Sequence, residues 1–391
     1  MDEIRDAVTR RGPEVAAHRH ALHQIPETGF KEVKTAAYVA AQLAAIGLEV
    51  RSGIAGTGVV GRLRTGRPGP TLMIRADMDA LPIAEETGLA FASTHPGCMH
   101  ACGHDAHMAM ALGAAAVLDW LKARLAGTAV FVFQPAEEGP GGAKPMIEAG
   151  VMDDPKVDYA IACHLWAERP EGTIGVRSGP CLAAMDRFEL KILGRGGHGA
   201  QPHLCVDAIE VGAQVVAALQ RVVSRQMNPV EPAVVTVGTF HAGTAFNIIP
   251  AEAAMSGTTR TFNAEIWSGW KDRIERVVKG VCDSMGAGYE LNYVQGYPPT
   301  VNDAGMAEVV RRAATAVVGA ERVEVPELTM GGEDMSFFLQ RAPGCFYCLG
   351  VGRPGGAPLH NSRFDFREGL MLLGVETHCR VALELLGGMA V

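Results

Sequence analysis

The stretch MHACGHDAHMAM at residues 99–110 sets Cys102 and His104 among His100, Asp105 and His107, with Cys98 just upstream and a long apolar segment following. Thiolate, imidazole and carboxylate in one short run suit a borderline divalent cation. This run offers more donors than one ion can use, so other segments must decide which of them matter. Further clusters follow the same chemistry: RADMDALP at 75–82, QPAEEGPGG at 134–142, CHLW at 163–166 and LHN at 359–361. Two ions sharing a site need five or more ligands from several loops, and the chain supplies that inventory. Glu137 and Glu138 are adjacent, and neighbours in an extended segment point in opposite directions, so one can bind metal while the other handles a proton. An ion-activated water, with a carboxylate alongside to take its proton and pass it to a leaving amine, is the apparatus of amide hydrolysis. Alone, two acids in a loop describe a solvated turn; beside His, Cys and Asp clusters on sister loops, the catalytic reading prevails.

The elements that must position these groups can be read from pattern. A first helix is expected over residues 2–22, carrying His18 and His20, which stand two apart and so do not face one another; packing or surface roles suit them better than ligation. A second, over 31–46, ends at Gly47, the usual left-handed cap. Strands at 59–63, 71–75, 128–134 and 157–164 alternate with a helix at 105–124, which implies a largely parallel sheet covered on both faces. In such sheets ligands collect beyond the carboxyl ends of strands, where Asp77, Asp79, Glu137, Glu138 and His164 fall. Between about 179 and 297 the order becomes βαββαβ: strand 186–193, helix 204–223, strands 233–240 and 251–262, helix 264–285, strand 289–294. That is the ferredoxin-like module, inserted into the first domain. The expected organisation is therefore an α/β catalytic domain from 1–180 and 298–391 around an inserted α+β domain at 181–297.

Length and charge bound the partners. A chain of 391 residues exceeds what one core usually organises. A formal charge of −8 with no basic stripe argues against nucleic acid and anionic membranes. The charged start MDEIRDAVTRRG and the shortness of the longest apolar run point to a soluble, unprocessed protein. Nine scattered cysteines suit a reducing cytoplasm better than a disulfide framework. Cys345 and Cys348 have Cys-x-x-Cys spacing, yet they sit in what reads as an apolar strand with no second pair, so a zinc or redox role there is not expected.

RADMDALP, HACGHDAH, QPAEEGPGG, CHLW, GGHGAQPH, FNIIP and LHN, in this order, resemble the M20 metallopeptidase and amidohydrolase family, in particular its aminoacylase, hippurate hydrolase and indoleacetyl-amino-acid hydrolase branch. The likeness runs from LHQIPETGFKE, beginning at Leu22, to LHN. It implies a zinc-peptidase catalytic domain with a mostly parallel sheet and a ferredoxin-like dimerisation lid, and a homodimer or higher oligomer. It also implies two divalent ions, drawn from manganese, zinc, cobalt and nickel, held by Cys102, His104, Glu138, His164 and His360, with Cys102 as the bridge. Glu137 matches the general base, and Asp79 matches an Asp that orients a ligand imidazole. Asp77 stands where peptidase branches carry a metal-binding His, so its role stays open; His100, His107 and Cys98 are non-ligands by default. His198, Asn247 and Arg260 match positions that bind the substrate carbonyl oxygen or carboxylate, and the lid His commonly reaches across a dimer interface. For His203, Gly199 and residues 332–334, loop packing or rim contacts stand equal with a part in the site; Gly199 departs from the Ala or Ser common in relatives.

The implied reaction is hydrolysis of an N-acyl amino acid, hippurate-like or N-acetylated, to a carboxylate and a free amino acid. The nearest rival is a deacetylase of an intermediate such as N-acetyl-diaminopimelate; a rival of another class is a catalytically silent metal- or ligand-binding relative, against which the intact Glu137 and full ligand set weigh. A thiolate at 102 marks the amidohydrolase branch and adds oxidation sensitivity. Cys102→Ser should lose bound metal and activity together; full metal stoichiometry at full activity would remove Cys102 from the ligand set.

Overall fold

The computed structural model of the protein describes residues 2–387. They form two compact units, one made of the chain up to Gly179, Val301–Glu327 and the segment from Asp334 on, the other of Pro180–Thr300 and Leu328–Glu333.

In the first unit the expected opening helix is two, α1 (Glu3–Arg10) and α2 (Gly12–His23). The break at Arg11 follows from Pro13: in a continuous helix its missing N–H would cost a bond, whereas in the first turn of a new helix that donor has no partner to lose. Helix α3 (Val33–Ile46) ends at Gly47, whose φ of +101° is the left-handed cap the sequence predicts. Strands β1 (Glu49–Ile54), β2 (Gly58–Arg64) and β3 (Thr71–Asp77) lead to helix α4 (His104–Trp120). Strands β4 (Thr128–Gln134) and β5 (Tyr159–Pro170) complete the centre of an eight-stranded sheet. In that sheet β3 runs parallel to both β4 and β5, and β5 parallel to Gly344–Gly352; β1 and β2 extend one edge in antiparallel fashion. All seven residues of β3 and of β4 are buried, as a parallel strand covered on both faces requires.

Helix α4 ends sooner than the pattern suggests, at Trp120, with Lys122–Arg124 forming a separate 3-10 turn. From His104 to Leu118 it is buried on every side. Two glycines let its neighbours approach: a Cβ on Gly113 would lie 2.7 Å from Val15 of α2 and 3.2 Å from Val375, and one on Gly374 would lie 2.2 Å from the Met110 sulfur. The strand Gly344–Gly352 holds Cys345 and Cys348, both buried and neither in a disulfide. Three apart on a strand, they point to opposite faces and cannot join.

The second unit has its own core and a four-stranded antiparallel sheet of Ala184–Leu193, Ala233–Ala242, Glu252–Thr261 and Gly288–Tyr297, ordered second, third, first, fourth. Helices Ala208–Gln226 and Trp270–Met285 supply Val215, Leu219, Trp270 and Ile274 to that core. The helix expected over 264–285 is broken at Gly269, with Ala264–Ser268 as a separate turn capped by Asn263. Residues 328–333, placed by the sequence with the catalytic domain, group with this unit: Leu182 bridges Thr329, and the Ala183 N–H donates to the carbonyls of Thr329 and Gly331. Among the described residues no helix is long and apolar enough to cross a membrane.

Substitution at two helical glycines should have opposite effects. Gly113→Val overpacks the α2–α4 contact and should lower stability by about 1–3 kcal/mol. Gly280, exposed in Trp270–Met285 with nothing within 4 Å of its would-be Cβ, should gain up to about 1 kcal/mol as Ala. Denaturant midpoints followed by circular dichroism check both.

Candidate metal centre

The parallel strands deliver the chemistry at one end of the sheet. Asp77 is the last residue of β3, paired with Gln134 at the end of β4, and Asp79 and Glu137 follow within three residues. On β5 the ladder to β3 last pairs Arg75 with Ala162, so His164 lies just past it, level with the same edge. Helix α4 begins at His104, and Gly103 before it adopts φ +88°, which turns the chain so that Cys102 and His104 flank one space. A Cβ at Gly103 would come 2.9 Å from Leu165. His360 itself takes the left-handed conformation at φ +62°, held by its N–H to the Ala101 carbonyl at 2.8 Å; Ala136, just ahead of Glu137, does likewise at φ +55°. Left-handed non-glycine residues cost on the order of 1–3 kcal/mol each and cluster where geometry is imposed.

The five residues assigned as ligands meet. Cys102 Sγ is 3.5 Å from His164 Nε2 and 3.2 Å from His360 Nε2. Glu138 Oε1 is 3.1 Å from His360 Nε2 and 4.0 Å from His104 Nε2. Each buried imidazole is fixed from behind: His104 Nδ1 donates to the Asp79 carbonyl at 2.9 Å, and His164 Nδ1 to the Leu165 carbonyl at 2.6 Å. His104 Nε2 is buried with no hydrogen-bond partner. A buried nitrogen left without a partner, facing a thiol and a carboxylate, fits a cation and fits little else.

Electrostatics say the same. Burial and the Glu138 and Glu137 carboxylates push the Cys102 thiol well above its usual range. Burial opposes charge on His104, but Asp77, Asp79 and Glu138 outweigh it and raise the imidazole to about 10. Against its own burial, Glu138 is lowered to about 2 by His360 and His104. Burial drives His164 down to about 3, with His107 adding to the effect. His164 is thus a ready neutral ligand, whereas Cys102 and His104 hold protons that a cation must displace.

Around this array lies a buried hydrogen-bonded frame. Asp79 accepts the N–H groups of Glu137 and Glu138, one on each oxygen, both at 3.0 Å. Its Oδ1 is 3.3 Å from His104 Nδ1, so the main-chain carbonyl, not the carboxylate, makes the shorter contact with that imidazole. Asp77 binds Arg75 at 2.7 Å and His107 Nδ1 at 2.6 Å, and His107 Nε2 accepts the Leu165 N–H at 2.9 Å. Asp77, His104, His107 and His164 are close enough to imitate a metal site. Both nitrogens of His107 and both oxygens of Asp77 are already engaged, which makes them supports. Asp105 pairs with Arg19 and His23 and is held well below the usual carboxylate range, with burial opposed by His23 and Arg19. His100 is wholly buried, driven down to about 3 chiefly by burial and thus neutral.

Three supports have roles that the sequence reading leaves unassigned. Glu32 accepts the Ala136 N–H at 2.9 Å; Gln134, the polar end of an apolar strand, binds Arg75 and Asp334; and Asp334 accepts the N–H groups of Gly142 and Ala143. Asp334 is fully buried, which excludes a rim role for it. A lone polar residue closing an apolar run was the available signal for Gln134; nothing local marks Glu32.

His198, Asn247 and Arg260 lie in the second unit. His198 and Asn247 are brought together by a short ladder pairing Ile248 with His198 and by the Gly199 N–H to the Asn247 carbonyl at 2.8 Å; both side chains are exposed. The Ala200 N–H donates to His198 Nδ1 at 3.0 Å, which leaves the ring proton on Nε2. Arg260, on Glu252–Thr261, donates to the carbonyls of Met330 and Thr259.

A profile described as peptidase family M20/M25/M40 matches residues 73–384. The chain belongs to this family. An N-acyl-L-amino acid amidohydrolase of Geobacillus stearothermophilus is 47% identical over 77% of this chain and 81% of its own length. Thermostable carboxypeptidase 1 of Saccharolobus solfataricus is 40% identical over 94% of both. The crystal structure of the Bacillus subtilis YXEP protein, described as a dinuclear metal binding peptidase from the M20 family, superposes with a TM-score of 0.84 at 33% identity over 96% of this chain and 98% of that one.

The protonated state of Cys102 and His104 gives this M20 protein a measurable signature. Titration with zinc at pH 7 in two buffers of different ionisation enthalpy should show more than about one proton released per chain, with apparent affinity rising with pH. Proton-neutral binding would contradict the ligand assignment.

Proposed function

We propose that this M20 protein is a metal-dependent amidohydrolase that cleaves the amide of an N-acyl amino acid, giving a carboxylate and a free amino acid. The observation that carries the reading is the convergence of Cys102, His104, Glu138, His164 and His360, with Glu137 fixed beside them through Asp79. These residues would hold two divalent ions, zinc, manganese, cobalt or nickel, with the Cys102 sulfur shared. Ions so held supply Lewis-acid polarisation of a carbonyl and a lowered pKa for water.

The chain's own groups do the rest. The Glu137 carboxylate takes a proton from the attacking water and returns it to nitrogen as the C–N bond breaks. Its main-chain N–H is fixed by Asp79, so its reach is set by a rigid frame. His198, with its proton on Nε2, is suited to donate to the oxyanion that develops on the acyl carbon, and Asn247 and Arg260 to grip oxygen or carboxylate. We assign the second unit, about residues 181–297, as a lid that also mediates a homodimer. Cysteines without disulfides suit a cytoplasmic enzyme. The names of the amidohydrolase and carboxypeptidase relatives both support an amide next to a free amino acid as the bond attacked.

Glu137→Gln should keep its metal and lose about 10²–10⁴-fold in kcat on hippurate or N-acetyl amino acids, measured after reconstitution with each ion. An active Glu137→Gln enzyme would remove Glu137 from the role of base. Absence of wild-type turnover across a broad panel, with every ion, would favour a binding function.

A further inference from the structure

The segment from Pro135 to Gly142 carries both Glu137 and Glu138, yet it contains three glycines and two prolines and lies outside the helices and strands. Such a segment has no helix or strand ladder of its own, so its shape depends on what its backbone N–H groups bind. Buried carboxylates take them at three places. Glu32 holds Ala136, and Asp79 holds Glu137 and Glu138, which fixes the first half. Asp334 Oδ2 holds Gly142 and Ala143, each at 3.0 Å, which fixes the second.

Asp334 also reaches the other end of the same segment. Gln134 Nε2 donates to its two oxygens at 2.9 and 2.8 Å. The loop is pinched at this point: a Cβ on Gly142 would lie 1.9 Å from the Pro135 carbonyl. One carboxylate thus clips residue 134 to residues 142 and 143 and leaves the acids between them displayed. Arg75 locks the clip, donating to Asp334 Oδ1 at 2.9 Å, to Gln134 Oε1 at 2.9 Å and to Asp77 Oδ2 at 2.7 Å. Through Asp77, His107 and the Leu165 N–H the same chain of bonds ends beside His164.

We infer that Asp334 is a positioning residue for hydrolysis, which sets where Glu137 stands relative to the His164 strand by clipping together the two ends of the 135–142 loop and coupling them to Arg75. It touches none of the five assigned ligands; it acts on Glu137 through the loop, and its carboxylate also lies within 4.8 Å of the Glu137 carboxylate. The inference rests on Glu137 being the base, as proposed above. Asparagine is nearly isosteric, but the four groups hydrogen-bonded to the Asp334 carboxylate are all donors, so an NH2 must face either the Gly142 and Ala143 N–H groups or Arg75 and Gln134. One arm of the clip is lost whichever way it turns.

The test compares wild type with Asp334→Asn, both loaded with zinc, on the substrate that wild type hydrolyses. The expected result is a kcat lower by about 10–100-fold, with KM within about threefold, two zinc per chain, an unchanged circular dichroism spectrum and a shifted acid limb of the pH–rate profile. A kcat within about twofold of wild type in a folded variant would overturn the inference. So would loss of zinc in proportion to activity, which would mean that Asp334 serves the fold at large. If Asp334→Asn does not fold, Gln134→Met is read by the same criteria, since it removes one arm of the clip and adds no charge. An inactive wild type would instead refute the proposed activity, so the two failures are distinct.

Discussion

The centre depends on each buried imidazole being held at one nitrogen so that the other has nowhere to turn. His104 gives its Nδ1 proton to the Asp79 carbonyl and His164 gives its own to the Leu165 carbonyl, both main-chain acceptors that cannot swing away. Their Nε2 atoms are thereby fixed towards Cys102 and Glu138, and His360 meets the same sulfur from the far end of the chain. Binding a cation there orders little that is not already ordered, which is the advantage of preorganisation. Two left-handed residues, His360 and Ala136, are the backbone counterpart: each is tolerated because a hydrogen bond or a packed neighbour imposes it.

Such an array places many ionisable groups in one poorly solvated volume, and burial of charge is costly unless each is paired and hydrogen-bonded. The protein meets this with two separate frames. Arg75 pairs with both Asp77 and Asp334 at the loop of Glu137, and Arg19 joins Asp105 of α4 to Asp365 and Glu368. His107 and His23 belong to these frames, one on each. This explains why a stretch so rich in donors yields only Cys102 and His104 to the centre. Asp105 and His107, on the turn between them and the helix body, are consumed in holding α4 to its neighbours.

The sequence made the parallel sheet and the inserted βαββαβ module legible because their signals are local: alternation of apolar strands and helices, and glycine at helix ends such as Gly47. The five converging residues were legible only through the order of seven motifs, since no spacing rule links Cys102 to His360 across 258 positions. What stayed hidden was set by tertiary contact. Pro13 divides the first helix, Gly269 divides another, and residues 328–333 leave one unit for the other because Ala183 binds their carbonyls. Glu32, Gln134 and Asp334 looked like ordinary polar residues, because their role lies in which N–H groups fold onto them. Asp79 was expected to orient an imidazole; its carboxylate lies 3.3 Å from His104 Nδ1 and, beyond that expectation, also accepts the backbone N–H groups of Glu137 and Glu138.

The central claim is that the Cys102 sulfur is shared by two cations. X-ray absorption at the zinc edge of protein loaded with two zinc per chain tests it most directly. The account predicts, for the average zinc, one sulfur scatterer at about 2.3 Å together with nitrogen and oxygen near 2.0–2.2 Å, and a zinc–zinc feature that disappears at one zinc per chain. A first shell of nitrogen and oxygen alone, or a sulfur contribution of half that size at full loading, would contradict it.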